Sequence, residues 1–450
     1  MKLLHLLLLL GSLCHAGAVG AGPNIVFIIA DDLGYGDLGC YGQKKIRTPV
    51  LDKLAAEGIR FTQHYSGSTV CAPSRSSLMT GLMTGLDTGS TWLRGNGGFE
   101  LRPDPEDLTV ATLLKRAGYH TAMVGKSCVS GNTQHPQHVL NKGFDVFYGT
   151  TSHQDGHFRY PLFIYDQEKK VELEGNKLHQ GSSYDAELYT ARAERFIRES
   201  ADPFFLLLSY PIPHAALLGP GEAGKAPRKG HYTEVENPAA HYRAMVEAMD
   251  GYVGRVLAAL REKGVARDTL IIFTSDNGPH YEGGYDPKMH DSPGPLRGGN
   301  RDLYEGGIRV PTIAHWPAGI AKPGVSDHAS AFWDFLPTAC ELAGVNAPQG
   351  LHGISYAPVL TGKGEQRAHD FLYWEFHEKD TRRALRQGDW KLVQYDVAKN
   401  GKPELYHLGR DLAETQDLSP EEPERVAAML KLMNNRHKPS PIFPNKALDR

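Results

Sequence analysis

Three things are scarce in this chain. Cysteine is the first: 450 residues hold five, Cys14, Cys40, Cys71, Cys128 and Cys340. That is too few for a disulfide framework to carry the fold. A charge excess is the second. Lys and Arg number 49 against 52 Asp and Glu, a formal net charge of -3. A nucleic-acid binder carries a basic surplus, so no nucleic-acid partner is expected. Long apolar runs are the third. Leu3 to Leu10 is apolar save for His5, but a membrane span needs about 20 such residues. No stable membrane insertion is expected, and no short-period repeat is visible.

What is present begins with an amino-terminal leader. Lys2 gives a positive start, the apolar run follows, and Ala16-Gly17-Ala18 supplies small residues for cleavage. This reads as a signal peptide over 1–18. Cys14 lies within it, and a secreted or periplasmic product is expected.

Downstream, strand-like apolar runs alternate with amphipathic stretches. Strands are expected over 25–30, 121–124, 204–209, 269–274 and 308–315. Helices are expected over 49–57, 109–117, 184–199, 239–263 and 335–342. Thr48 and Pro49 open the first helix, and Gly58, Gly118 and Gly264 follow the ends of three. The alternation predicts an α/β fold with a large mixed, mostly parallel sheet sandwiched by helices. From Gly364 the texture changes to short strands over 371–376, 390–395 and 404–407, then a helix over 423–434. The expected units are a catalytic domain over 22–363 and a small α+β subdomain over 364–450.

In open parallel sheets ligands sit at the carboxyl ends of the strands. After the first strand come Asp31 and Asp32, after the second Gly125 and Lys126, after the third Pro213 and His214, after the fourth Ser275, Asp276 and Asn277. Three carboxylates cannot share a small volume without a cation. An all-oxygen donor set points to Ca²⁺ or Mg²⁺. Cys71-Ala72-Pro73-Ser74-Arg75 precedes a stretch, 76–79, that can continue as a helix. A helix start favours anions and lowers a thiol's pKa.

Cys71-x-Pro73-x-Arg75 resembles the signature of the type I sulfatases, members of the alkaline phosphatase superfamily. The segment from Asn24 to Asp37 resembles that family's opening strand and metal loop, and Thr274 to Gly278 its second metal segment. Leu296 to Pro311 resembles its late substrate-side motif. Gly388-Asp-Trp-Lys-Leu and Glu404-Leu-Tyr-His-Leu resemble its carboxy-terminal subdomain. The resemblance implies that a maturation enzyme oxidises Cys71 to 3-oxoalanine (formylglycine). It implies a hydrated aldehyde that attacks the sulfur of an aryl sulfate or sulfated carbohydrate. Asp31, Asp32, Asp276, Asn277 and the modified Cys71 would bind one Ca²⁺. Arg75 and Lys126 would hold the nucleophile and sulfate, and His214 would assist the leaving oxygen.

The chain departs from the family pattern at substrate-side positions. Cys128 stands where a base histidine is usual, Asn300 where a second lysine is usual, and Met83 and Leu86 where histidines often occur. The segment His153 to Tyr160 offers replacements. His157 is the candidate base, and Arg301 the candidate positive charge. Tyr160, His280, Tyr281 and His290 are candidate pocket residues. The competing expectations are a Ca²⁺-binding homologue that holds sulfated glycans without turnover, and a phosphate or phosphonate ester hydrolase.

Overall fold

The structure, a computed structural model, describes residues 22–84, 93–95, 98–100, 108–129, 135–152, 155–177, 180–222, 235–378, 380–439 and 445–449. The leader over 1–18, Leu86 and His153 lie outside the described residues. A ten-stranded sheet dominates. Its spatial order is Gly324–Ser326, Ile59–Phe61, Thr312–His315, Thr269–Ser275, Asn24–Asp31, Phe204–Pro213, His120–Lys126, Val146–Thr150, Phe163–Asp166 and Lys169–Glu172. The five strands from Thr269–Ser275 to Val146–Thr150 run parallel. Antiparallel strands flank them on both sides.

Alternation explains why the centre is buried on both faces. Along Asn24–Asp31, Val26 and Ile28 join Leu206 and Leu208 in one core, against helices Pro49–Glu57, Asp185–Glu199 and Pro238–Lys263. Ile25 and Phe27 join Phe205 and Leu207 in the other, against helices Cys71–Thr80, Val110–Arg116 and Phe335–Leu342. Each such side chain contributes about 1.5–3 kcal/mol when fully buried. The strand is thus fixed by two packed layers, and successive residues cannot exchange faces without losing both.

All five parallel strands deliver their carboxyl ends to one edge. Gly125 permits the tight join there. It has φ +110°, and a Cβ on it would lie 2.0 Å from the Ser209 carbonyl oxygen. No other residue type tolerates both conditions.

A second, four-stranded antiparallel sheet runs Leu372–Phe376, Arg382–Gln387, Trp390–Gln394 and Pro403–His407. Helix Pro423–Asn434 packs against it through Met429 and Met433. The unit is bonded to the large domain: Trp374 Nε1 donates to Ser66 O at 3.0 Å. Lys391, fully buried, lies 2.8 Å from Glu305 Oε1 and 2.9 Å from Glu414 Oε1.

Two expected elements change. The strand expected over 308–315 is a short helix, Glu305–Ile308, then the strand Thr312–His315. Pro311 between them has no N–H for a ladder bond. The helix expected over 76–79 begins five residues earlier, at Cys71. No helix among the described residues is long and apolar enough to cross a membrane. Cys40, Cys71, Cys128 and Cys340 are free of disulfides.

Candidate active site

The four strand ends converge as the sequence order suggests. Cys71 opens its helix directly beneath the end of the first strand, and its Sγ donates to Asp31 Oδ1 at 3.2 Å. One ligand atom each from Asp31, Asp32 and Cys71 lies within 4.8 Å of the others. Asp32 N donates to Asp276 Oδ1 at 3.0 Å, which joins the first and fourth strands. Asn277 Nδ2 donates to Asp32 Oδ1 at 2.5 Å. Asp32 has φ +64°, an uncommon conformation for a residue with a Cβ. Such strain persists where surrounding structure over-determines it.

Two cations are buried here. Lys126 Nζ donates to Asp31 Oδ2 at 2.6 Å. Arg75 Nε donates to Asp276 Oδ2 at 2.8 Å, and its Nη1 donates to Ser209 Oγ and faces Cys128 Sγ at 3.5 Å. Three carboxylates against two cations leave one negative charge in a dry volume. The acids respond unequally. Burial raises Asp32, and the neighbouring Asp31 raises it further. Burial likewise raises Asp276, against the pull of Arg75. Burial opposes ionisation of Asp31 too, yet Lys126 and Arg75 hold it well below the usual range. As a thiol, Cys71 is pushed up by burial and by Asp31. That corrects the expectation of a lowered thiol pKa: the helix start is outweighed by burial first and by the carboxylates second.

These facts test the donor set for a hard cation. Asp32 Oδ2 and Asn277 Oδ1 are sealed from solvent and lack a hydrogen-bond partner in the structure. Buried oxygens left in that state are costly. A divalent cation among Asp31, Asp32, Asp276 and Asn277 would satisfy both and offset the repulsion, so the residues fit Ca²⁺.

The imidazoles sit on the other side of Lys126. Lys126 Nζ donates to His157 Nε2 at 3.2 Å. An ammonium can only donate, so that bond is made to the Nε2 lone pair of the imidazole. His157 stacks on His214 with centroids 4.0 Å apart. His214 Nδ1 donates to Ala215 O. Its Nε2 therefore faces Asp32 Oδ2 at 3.4 Å and Glu282 Oε2 at 3.5 Å. Burial lowers the His214 pKa, with Asp31 and Glu282 working against that.

Substrate-side candidates separate into three groups. Asn300 Nδ2 donates to Asp32 Oδ1 at 2.8 Å, so it steadies the acid cluster. Arg301 Nη1 donates to Asn300 Oδ1 at 2.8 Å and lies 3.4 Å from Glu282 Oε1. Cys128 is 4% exposed and backs the Arg75 guanidinium. Tyr281 is exposed and His280 stacks 5.5 Å from His214. Tyr160 and His290 face elsewhere: the Tyr160 hydroxyl accepts from Gly221 N, and His290 pairs with Tyr285. Met83 N is bonded to His352 Nδ1, away from the acid cluster. Glu282 and Ser209 were missed. Each contacts the site across a long sequence separation, and neither belongs to a recognisable spacing.

Comparison with known proteins adds to this geometry. The sulfatase family profile matches residues 23–345. A second profile, N-sulphoglucosamine sulphohydrolase, C-terminal, matches residues 299–438. Steryl-sulfatase of Mus musculus is 33% identical over 80% of this chain and 68% of its own length. N-acetylgalactosamine-6-sulfatase of Sus scrofa is 31% identical over 95% of this chain and 88% of its own. The solved structure of Ps i-CgsB in complex with k-i-k-neocarrahexaose superposes with a TM-score of 0.75 at 27% identity. That match covers 95% of this chain and 94% of that one.

Proposed function

The chain belongs to the sulfatase family, and from that premise we propose that it hydrolyses sulfate esters with a formylglycine made from Cys71 and one bound Ca²⁺. The observation that carries this reading is the position of Cys71. It is the first residue of its helix, and its Sγ touches Asp31, which also accepts from Lys126. A nucleophile at that atom is held between the acid cluster and the two buried cations. Asp31, Asp32, Asp276 and Asn277 would hold the Ca²⁺ with the residue at 71. The cation would neutralise sulfate oxygens and lower the nucleophile's pKa, and the aldehyde would supply, once hydrated, a hydroxyl nucleophile that a thiol cannot replace.

The protein's own residues do the rest. Arg75 and Lys126 are held by Asp276 at 2.7 Å and Asp31 at 2.6 Å. They therefore present preorganised positive charge to an anionic group, which is worth most in a dry site. His157 Nε2 accepts from Lys126, so it can take a proton at that atom only as that bond opens. His214 holds its Nε2 towards the acid cluster, and since its Nδ1 proton is committed to Ala215 O, it can deliver a proton to the departing alcohol oxygen only after Nε2 has taken one up. In this reading the histidine absent at Cys128 is replaced by His157, which arrives from the loop after strand Val146–Thr150.

Aryl sulfates and sulfated carbohydrates are the candidate substrates, in keeping with the named relatives. A formylglycine-generating enzyme is the required partner. The leader over 1–18 supports secretion or periplasmic export, which fractionation of the source cell would test. The mass of the peptide carrying residue 71 tests the modification. Protein from its native source should lack one sulfur and two hydrogens and gain one oxygen at that residue. An unmodified thiol throughout, in protein that still turns over sulfate esters, would remove formylglycine from the mechanism. Parallel incubation with aryl sulfate and aryl phosphate separates sulfatase from phosphatase. No hydrolysis by aldehyde-bearing protein would instead favour a binding role.

A further inference from the structure

We infer that Tyr281, Glu282 and Arg301 form a subsite for the ring and a free hydroxyl of a sulfated sugar, beside the sulfate-binding cradle. The inference rests on the sulfate-ester reading above and narrows its substrate.

Two loops meet at the mouth of the site. Asn300 N donates to Pro279 O at 2.9 Å, while Asn300 Nδ2 reaches Asp32. Residues on either side of that junction form the rim. Glu282 points one carboxylate oxygen at His214 Nε2, 3.5 Å away, and the other at Arg301 Nη1, 3.4 Å away. The two side chains are 26% and 38% exposed, so a ligand can reach them. Glu282 Oε2 is sealed from solvent on the His214 side, so the exposed part of the carboxylate is the Oε1 edge beside Arg301. Tyr281 is 54% exposed and rests on Gly299. A Cβ at Gly299 would lie 2.6 Å from Pro279 O and 2.9 Å from Tyr281 Cε2, so only glycine lets the ring lie against that loop.

The chemistry of the rim selects its occupant. Arg301 is shared by two carboxylates, since its Nε also lies 3.6 Å from Glu378 Oε2. A guanidinium matched twice over is a poor reader of a second anion. A carboxylate beside a guanidinium suits a hydroxyl instead: the acid accepts its hydrogen and the arginine donates to its oxygen. The exposed Tyr281 ring adds a flat apolar face with little entropy to lose. A sugar offers both an apolar ring face and vicinal hydroxyls. An aryl group offers no hydroxyl, and a second sulfate at that position would meet Glu282 and Glu378. The occupant is therefore a sugar sulfate that keeps a free hydroxyl at the Glu282–Arg301 position.

The test compares wild type and E282Q, both full-length and matured, on galactose and glucose monosulfates, their disulfates, and p-nitrophenyl sulfate. Glutamine keeps the shape and loses the charge. Glutamine still accepts from the hydroxyl but without the charge that strengthens the bond, so kcat/KM on the best monosulfate should fall about tenfold. The fall on p-nitrophenyl sulfate, which has no free hydroxyl and a leaving group that needs little help from His214, should be clearly smaller than on the monosulfate. The ratio of disulfate to monosulfate turnover should rise. Equal losses on sugar and aryl esters would mean that Glu282 serves only His214, and would overturn the subsite. Wild type that cleaves the aryl ester and no sugar would do the same while leaving the sulfatase reading in place. Wild type that cleaves neither would overturn that earlier reading itself. Matching melting curves for the two proteins establish that E282Q is folded.

Discussion

Replacing Lys391 with methionine should destabilise the protein more than most single changes. Lys391, Glu305 and Glu414 are all fully buried, and one ammonium serves both carboxylates at 2.8 and 2.9 Å. Methionine matches the stem but leaves the acids facing each other. Glu305 keeps Arg309 at 3.1 Å. Glu414 keeps only a bond from Glu305 N. Breaking a buried pair by removing one partner costs about 3–5 kcal/mol. Burial, with Glu305 nearby, already raises Glu414 to about 7, so it can take up a proton, and the lower figure of about 3 kcal/mol is expected. The pH dependence follows. Above about pH 7 Glu414 is charged in the wild type and must be protonated in the variant. The deficit should therefore shrink by up to about 1.4 kcal/mol per unit as pH falls from 9 towards 7. Below about 7 both proteins carry the proton and the deficit should level off. Urea titrations followed by fluorescence at several pH values measure it. A variant within about 1 kcal/mol of wild type, or a deficit that grows as pH falls, would refute the reasoning.

Other outcomes follow from the same geometry. His157→Ala should lower turnover of any accepted ester by about a hundredfold or more, the usual range for a lost acid–base group; near-normal turnover would remove it from the mechanism. Chelation of Ca²⁺ should lower the melting temperature, since ligand at 100 times its Kd contributes about 2.7 kcal/mol. Restoring the ion should restore the melt, and an unchanged melt would count against the site. Asn300→Ala removes an amide that donates to Asp32 and should cost about 1 kcal/mol in urea, with Asn277 still in place. Glu305 and Glu375 are both held near 2, against burial, by Lys391 and Arg309 in one case and His377 and His437 in the other. Their contribution is complete above the unfolded value and lost as pH falls towards 2. Acid unfolding followed by near-ultraviolet dichroism should accelerate across that window.

Much of this was legible in the sequence because its physics is local. Asn24–Asp31 reads as a strand from its own apolar run, and each strand end carries its chemistry within two residues. The helix at Pro49 announces itself through Thr48 and Gly58. What escaped was non-local or disguised. Arg382–Gln387 has three arginines in six residues and reads as a surface segment, yet it is a central strand of the small sheet. Arg383 is buried because Gln394 and Asn434 satisfy it, and Arg386 because Tyr65 and Gln63 do. Asn300 looked like a lost lysine, and nothing near it in sequence says that it bonds an aspartate 268 residues away. Glu282 gave no spacing signal either; it reaches the site through His214 and Arg301, which only the fold brings to it.

The most direct measurement is the initial rate of sulfate release plotted against formylglycine occupancy at residue 71. Samples matured to different extents would be compared at saturating Ca²⁺, with occupancy read from the peptide mass. Rates that rise in proportion to occupancy and extrapolate to zero for the pure thiol are the expected result. A rate independent of occupancy would contradict the assignment of Cys71 as the source of the nucleophile.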